Sequence, residues 1–359
     1  MVQLRTVHAH NAAIFQSRPI VAVFAGATAG IGEATLRALA AAHGTTGKGL
    51  RVYIVGRKRE AFQRIVSDCT RLCPAGQFNF ILSPDLSLLT NVDKACAEIT
   101  KAEQENAKGE QARIDILCMS QGDFNLNGYQ ETKEGIEWRY SLLYHSRMKF
   151  VVNLLPLLRG SDFPAHVISV FGAGKEGDLH LDDLSLRGTK VRGLTNVRSH
   201  TAYLHTFFME YLAAQNPGKL SLVHVYPGLV MTPAFKNPGV PIWFKAIWTV
   251  ITPVTKLLTT SPAEAGERIL FLASPLRFPA QGATEQSTAT KGGDFEVGVA
   301  KGSDGKVGSG AYAVEISGEA VENEKAGYGK YRKEGVGEKL VAYTLKAFEV
   351  IRSGKVFTE

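Results

Sequence analysis

Short apolar runs alternate with longer mixed stretches through much of the chain. Residues 21–24 (VAVF), 51–55 (RVYIV), 78–82 (FNFIL), 114–119 (IDILCM), 166–170 (HVISV) and 220–225 (LSLVHV) are each too short for a buried helix. They are rich in β-branched and aromatic residues, and they predict six strands. The stretches 31–43, 59–72, 87–107, 134–158 and 196–215 predict the helices between them. Apolar strands separated by helices predict a parallel sheet covered on both faces. The fold class is therefore α/β, a doubly wound parallel sheet. Residues 1–19 are mixed and predict a lead-in lying on the surface.

Beyond the sixth strand the pattern changes. In 241–258, Trp243, Phe244, Ile247, Trp248, Ile251, Val254 and Leu258 recur at roughly helical spacing, with Pro253 expected to kink the helix. Three readings stay open for this segment: a lid over an apolar substrate, core packing, or contact with a membrane surface. Ser261-Pro262 then reads as a cap and first position of another helix, with Glu264 three residues after the cap. Residues 282–310 are glycine-rich with few large apolar side chains and predict a mobile loop. A strand at 311–316 and a helix at 335–352 close the chain. We expect one main domain over 1–280, including a lid at 238–260. Residues 281–359 form a glycine-rich loop, a strand or hairpin and a helix packed on it as an appendage.

The first strand leads into Gly26-Ala27-Thr28-Ala29-Gly30-Ile31-Gly32. Gly26 permits a tight turn, Gly30 would let the backbone approach a pyrophosphate, and Gly32 would let the next helix pack against the strand. The helix start offers unpaired N–H groups and the positive end of its dipole to phosphates. The second strand ends in Gly56-Arg57-Lys58, with no carboxylate before Glu60. An acidic residue there would bind the 2′-hydroxyl of NAD, whereas Arg accommodates a 2′-phosphate. Arg57 and Lys58 therefore favour NADP(H), and the other reading is a solvated helix start. The whole pattern is a Rossmann-type nucleotide-binding domain.

Net charge is +7, with basic residues scattered rather than clustered, so nucleic acid is not expected as a partner. The four cysteines lack the His or Cys neighbours of a metal site, and reduced structural thiols of a cytoplasmic protein are expected. No leader peptide and no membrane-spanning helix are expected.

Taken in order, Gly26, Gly30-Ile31-Gly32, Gly56-Arg57, Asp85-Leu86 and Tyr226-Pro227-Gly228 with Thr232 resemble the short-chain dehydrogenase/reductase family over about residues 20–275. The segment from Gly177 to Leu184 makes the chain most similar to its retinol-dehydrogenase-like and WW-domain-oxidoreductase-like members. It is also similar to filamentous-fungal members linked to specialised metabolism. The resemblance implies that Asp85, beside Leu86, bonds the adenine. It implies that Pro227, Gly228 and Thr232 lie by the nicotinamide and its phosphate. Gly122 stands where the family has the last glycine of Asn-Ala-Gly, and Ser120 and Gln121 replace the first two residues. It further implies a homodimer formed through the helices at 134–158 and 196–215.

The family's catalytic group is Asn, Ser, Tyr and Lys. Ser169 fits the serine. Asn196 and His200 occupy the Tyr and Lys places, and Leu143 takes the Asn place, with Tyr144, His145 and Arg147 beside it. Positions 196, 200 and 203 share one helical face. His200 would bind ribose or supply a proton, and Tyr203 is the alternative proton donor. Ser169 would stabilise the oxyanion. The expected function is an NADPH-dependent reductase of a lipophilic carbonyl or enone. A non-redox isomerase, dehydratase or cyclase and a non-catalytic NADP(H)-binding protein are the alternatives.

Overall fold

The computed structural model describes residues 2–123, 128–188, 192–232, 259–283, 297–321 and 323–359. Seven strands, all parallel, form one sheet in the order β3-β2-β1-β4-β5-β6-β7. They are β1 (Ile20–Ala25), β2 (Leu50–Gly56), β3 (Gln77–Leu82), β4 (Ile116–Met119), β5 (Ala165–Val170), β6 (Leu220–Tyr226) and β7 (Ala311–Glu315). Every residue of β1 is buried, and its side chains alternate between two cores. Val21, Val23 and Ala25 join one, while Ile20, Ala22 and Phe24 join the other. A strand with an apolar layer on both faces has no polar alternation, which is why the run reads as continuous.

The first face carries α4 (Leu89–Asn106), α6 (Ser146–Arg159), α7 (Leu194–Gln215) and a C-terminal helix. The second carries α1 (Leu4–Gln16), α2 (Gly30–His43), α3 (Arg59–Leu72) and α8 (Pro262–Phe271). Strand order reverses between β1 and β4, which opens a crevice at the carboxyl ends of these two strands.

The structure corrects four expectations. Residues 4–16 are a helix rather than a surface lead-in, with Val7, His10, Asn11, Ile14 and Phe15 buried. His10 and Asn11 interrupt the apolar stripe in sequence. In the fold, His10 bonds the Ser274 hydroxyl at 2.7 Å, and Asn11 donates to the Glu267 carbonyl at 3.0 Å. The expected continuous helix over 134–158 is a turn, a short α5 (Trp138–Tyr140), a π-helical segment (Ser141–His145) and α6. Its start is displaced because Gly135 has φ 85° and the Glu134 carboxylate caps α4, accepting from the Leu89 and Thr90 amides.

The third correction concerns the described part of the expected loop, 297–310, which is held by main-chain bonds such as Gly302 N–H to Lys306 O at 2.7 Å; residues 284–296 of that loop lie outside the described residues. The last concerns the C-terminal part: β7 is the seventh strand of the sheet itself, parallel to β6. It is followed by α9 (Tyr328–Lys333) and α10 (Val336–Arg352). Side chains of α10 complete the first core. The expected lid at 238–260 and its apolar segment at 241–258 fall almost wholly outside the described residues. All four cysteines are buried and unbridged, with their thiols pushed up by burial. Among the described residues, no helix is long and apolar enough to cross a membrane, and no His, Cys, Asp and Glu group could hold a metal ion.

Candidate functional site

The glycine turn lies at the switch point. Gly26 has φ 89°, and a side chain there would run into the backbone of Gln121 after β4. A side chain at Gly32 would strike the Ser120 hydroxyl, which donates to the Gly26 carbonyl at 3.3 Å. These two glycines therefore close the turn against β4. Gly30 differs. It has φ 66°, and a Cβ there would meet only the side chain of Thr232, at 3.5 Å. Thr232, which follows β6, therefore lies directly beside the start of α2, at ordinary contact distance from a side chain at Gly30. Helix α2 begins at Gly30 after Ala29, which makes no side-chain cap, so its first amides have no capping side chain. Ile31 and Thr28 flank the turn, and Thr28 lies over Gly56, where a Cβ would come within 2.6 Å of its methyl.

Arg57 and Lys58 are exposed at the carboxyl end of β2. Asp85 is exposed, and its carboxylate accepts from the Ser87 amide at 2.8 Å, which fixes the turn over buried Leu86. Pro227 and Gly228 leave the end of β6, and Gly122 follows β4, where a Cβ would touch the Leu143 side chain at 3.5 Å. Lys175 packs its ammonium 4.1 Å over the ring of Tyr226, the last residue of β6.

Ser169 is wholly buried and pairs in register with Met119, the last residue of β4. It sits one strand from the crevice. Its oxygen accepts a 2.8 Å hydrogen bond from Arg147 Nη1. Sequence reasoning placed Arg147 only as a neighbour of Leu143. In the fold its guanidinium reaches across the strand ends, also donating to the Val170 carbonyl at 2.8 Å and the Gln121 carbonyl at 2.6 Å. Burial pushes its pKa down to about 9, so it remains charged at neutral pH. Around it, His205 and His224 stack with centroids 4.6 Å apart, Phe171 lies 5.2 Å from His205, and Tyr144 is 5.2 Å from His205. Burial holds these imidazoles neutral: His224 falls to about 3, and His205 is well below its ordinary value.

The three positions on α7 do not form one open face. Asn196 is half-buried on the first turn. His200 is wholly buried, with Nε2 3.2 Å from the Leu184 carbonyl and Nδ1 accepting from the His180 amide at 3.4 Å. Burial lowers its pKa to about 4. The Tyr203 hydroxyl lies 3.0 Å from the carbonyl oxygens of Gly177 and Ala326, and burial raises its pKa. Both side chains are therefore bound to the main chain of neighbouring segments, and neither presents an unoccupied donor. Tyr144 is likewise taken up by the Thr344 hydroxyl at 2.7 Å.

Comparison with known proteins adds to this geometry. The chain is 34% identical over 354 residues to the short-chain dehydrogenase/reductase SAT2 of Stachybotrys chartarum, covering 98% of both chains. The chain belongs to the short-chain dehydrogenase/reductase family of oxidoreductases. It is also 37% identical over 350 residues to the oxidoreductase AN1596 of Emericella nidulans, covering 96% of this chain and 97% of that one. No family model matches. Among solved members of the short-chain dehydrogenase/reductase fold, the L-sorbose reductase of Gluconobacter frateurii, complexed with NADPH and L-sorbose, superposes with a TM-score of 0.51 at 17% identity. That match covers 86% of this chain and 99% of the reductase, and it is a likeness of fold. A dehydrogenase/reductase from Sinorhizobium meliloti gives the same TM-score, 0.51, at 16% identity, over 86% of this chain and 98% of that one.

Proposed function

We propose that the protein is an NADPH-dependent reductase of a lipophilic carbonyl compound, a ketone or enone, with Ser169 as the group that polarises the substrate oxygen. The observation that carries this reading is the conjunction of two features at the carboxyl ends of strands on either side of β4. One is the uncapped start of α2 at Gly30, whose positive φ leaves its amides beside Thr232 with no Cβ over them. The other is Ser169 in register with the end of β4. The residues fit NADP(H): the amides of α2 suit the pyrophosphate, and Arg57 with Lys58 suits a 2′-phosphate. Asp85 with Leu86 suits the adenine, and Gly122, Pro227 and Gly228 border the place of the nicotinamide. When bound, NADPH supplies the hydride that reduces the carbonyl carbon.

The chain's own residues do the rest. Ser169 donates its hydroxyl proton as a hydrogen bond to the oxygen as negative charge builds there. Asn196, half-buried where the family carries Tyr, holds a water that gives the oxygen its proton. His200 and Tyr203 hold the 177–184 segment beside it. The apolar composition of 241–258, which follow Thr232 in sequence, favours a lipophilic substrate. The test is oxidation of NADPH in the presence of a panel of hydrophobic ketones and enones. Turnover that falls about 10²–10³-fold in Ser169→Ala supports the assignment. Product formed with no change in cofactor absorbance would point to the non-redox alternative.

A further inference from the structure

Arg147 is a buried cation with no anionic partner among the described residues. It is 1% exposed, and among the described residues no carboxylate lies within ion-pair distance of it. Lys149 and Arg139, close in sequence, do have partners: Asp93 at 3.1 Å and Glu137 at 2.7 Å. The groups that face Arg147 are neutral. Among the described residues they include the carbonyls of Met119, Gln121 and Val170, the Ser169 hydroxyl, the Cys118 thiol from β4, the Phe171 ring, and the imidazoles of His205 from α7 and His224 from β6. His145, in the π-helical segment, is also held neutral, at about 3. Burying a charge among neutral groups is costly, and a substitution that removed the charge would relieve that cost. A side chain kept there at such cost needs a compensating anion at some stage of the protein's work.

The hydrogen bond to Ser169 shows where that anion forms. Arg147 is donor only, so the serine oxygen is the acceptor and its own proton must point elsewhere. We propose that Arg147 is a positioning residue that turns the Ser169 hydroxyl outward as a donor and places an uncompensated positive charge behind it, so that the pair forms a two-step oxyanion site. The inference rests on the reductase reading above for its chemistry, because the anion it stabilises is the alkoxide developing at the substrate oxygen. It takes over part of the electrostatic work that the missing cationic Lys on α7 would do. A fixed charge in a water-poor site acts more strongly than in water and needs no reorganisation during the reaction.

The decisive test needs neither cofactor nor substrate. Ser169→Cys places a thiol at the oxygen's position, and its ionisation is followed by thiolate absorbance against the unsubstituted protein, whose own thiols are held high by burial. With Arg147 present the introduced thiol ionises at least about one pH unit lower than in the double variant Ser169→Cys, Arg147→Met. Equal titration in the two backgrounds would overturn the proposal. A second arm uses turnover. Arg147→Met lowers kcat by about ten- to a hundredfold with little change in KM, and adds less than about threefold once Ser169 is already Ala, because one residue acts through the other. Losses that multiply would mean that Arg147 only staples the strand ends. Should Arg147→Met fail to fold, Arg147→Gln, which keeps a donor but removes the charge, takes its place in both arms with the same expected directions. If no carbonyl is reduced by the wild-type protein but the thiol titration still depends on Arg147, the reductase reading fails and the electrostatic pairing stands.

Discussion

The phenol oxygen of Tyr203 lies 3.0 Å from the main-chain oxygen of Ala326, tying α7 to the segment that precedes α9. The same oxygen is 3.0 Å from the Gly177 carbonyl. A hydroxyl so placed joins three parts of the chain and is not free to protonate a substrate. Tyr203→Phe removes the tie but keeps the ring packed against Tyr328 and Tyr331. It should lower stability by about 1 kcal/mol and leave kcat within about threefold. Thermal melting and steady-state kinetics on the same variant check both halves.

His200 gives a pH prediction. Its folded pKa is about 4 against an ordinary 6.5, and His10, His145 and His224 are lowered in the same way. Above pH 6.5 neither the folded nor the unfolded chain binds these protons. As pH falls from 6.5 toward 4, only the unfolded chain takes them up, so stability drops through that window. Acid unfolding followed by circular dichroism should therefore begin below about pH 6 and steepen toward pH 4. His200→Gln removes one of these groups and should move the midpoint to lower pH. Its kcat should fall by much less than the 10²–10⁴-fold, roughly, that loss of a general acid costs.

Arg57 and Lys58 carry the cofactor preference. Both are exposed and lack a fixed role in folding, so the double variant Arg57→Ala, Lys58→Ala should melt within about 1 °C of wild type. Its affinity for NADPH should fall at least about tenfold while its affinity for NADH stays within about threefold. Fluorescence titration with each cofactor measures the ratio, and an unchanged ratio would remove these residues from the site.

Helix α10 bears on self-association. Val336, Leu340, Tyr343, Ala347 and Phe348 are buried against the first core, and Thr344 bonds Tyr144. A dimer formed through the faces of α6 and α7 that α10 covers would have to displace it. Light scattering of the full chain should give the mass of one protomer, while truncation after Gly335 should produce self-associating or insoluble protein.

How much of this was legible in sequence depends on the range of the interactions. The strands, the glycine turn and Arg57 announce themselves locally, because a strand buried on both faces is apolar throughout and a tight turn at positive φ needs glycine. Helix α1 was hidden because His10 and Asn11 look polar until Ser274 and Glu267, far along the chain, are brought to them. The break at Gly135 was hidden for a similar reason: the Glu134 carboxylate belongs to the start of α4, not to its own helix. Arg147 was visible as a residue but not as a partner of Ser169, since the contact joins α6 to β5 and a π-helical segment shifts the register before it. His200 and Tyr203 share a helical face in sequence, yet the loop at 177–184 and the C-terminal segment occupy their polar atoms.

The central claim is that the uncapped start of α2 at Gly30 and Ser169 serve one NADPH-dependent reduction. Its most direct test is NADPH consumption and alcohol formation measured together, with lipophilic ketones, for the wild type and Ser169→Ala. Stoichiometric consumption and product in the wild type, with a loss of about 10²–10³-fold in the variant and unchanged NADPH affinity, is the predicted result. Absence of NADPH binding, or product formed without NADPH consumption, would contradict it.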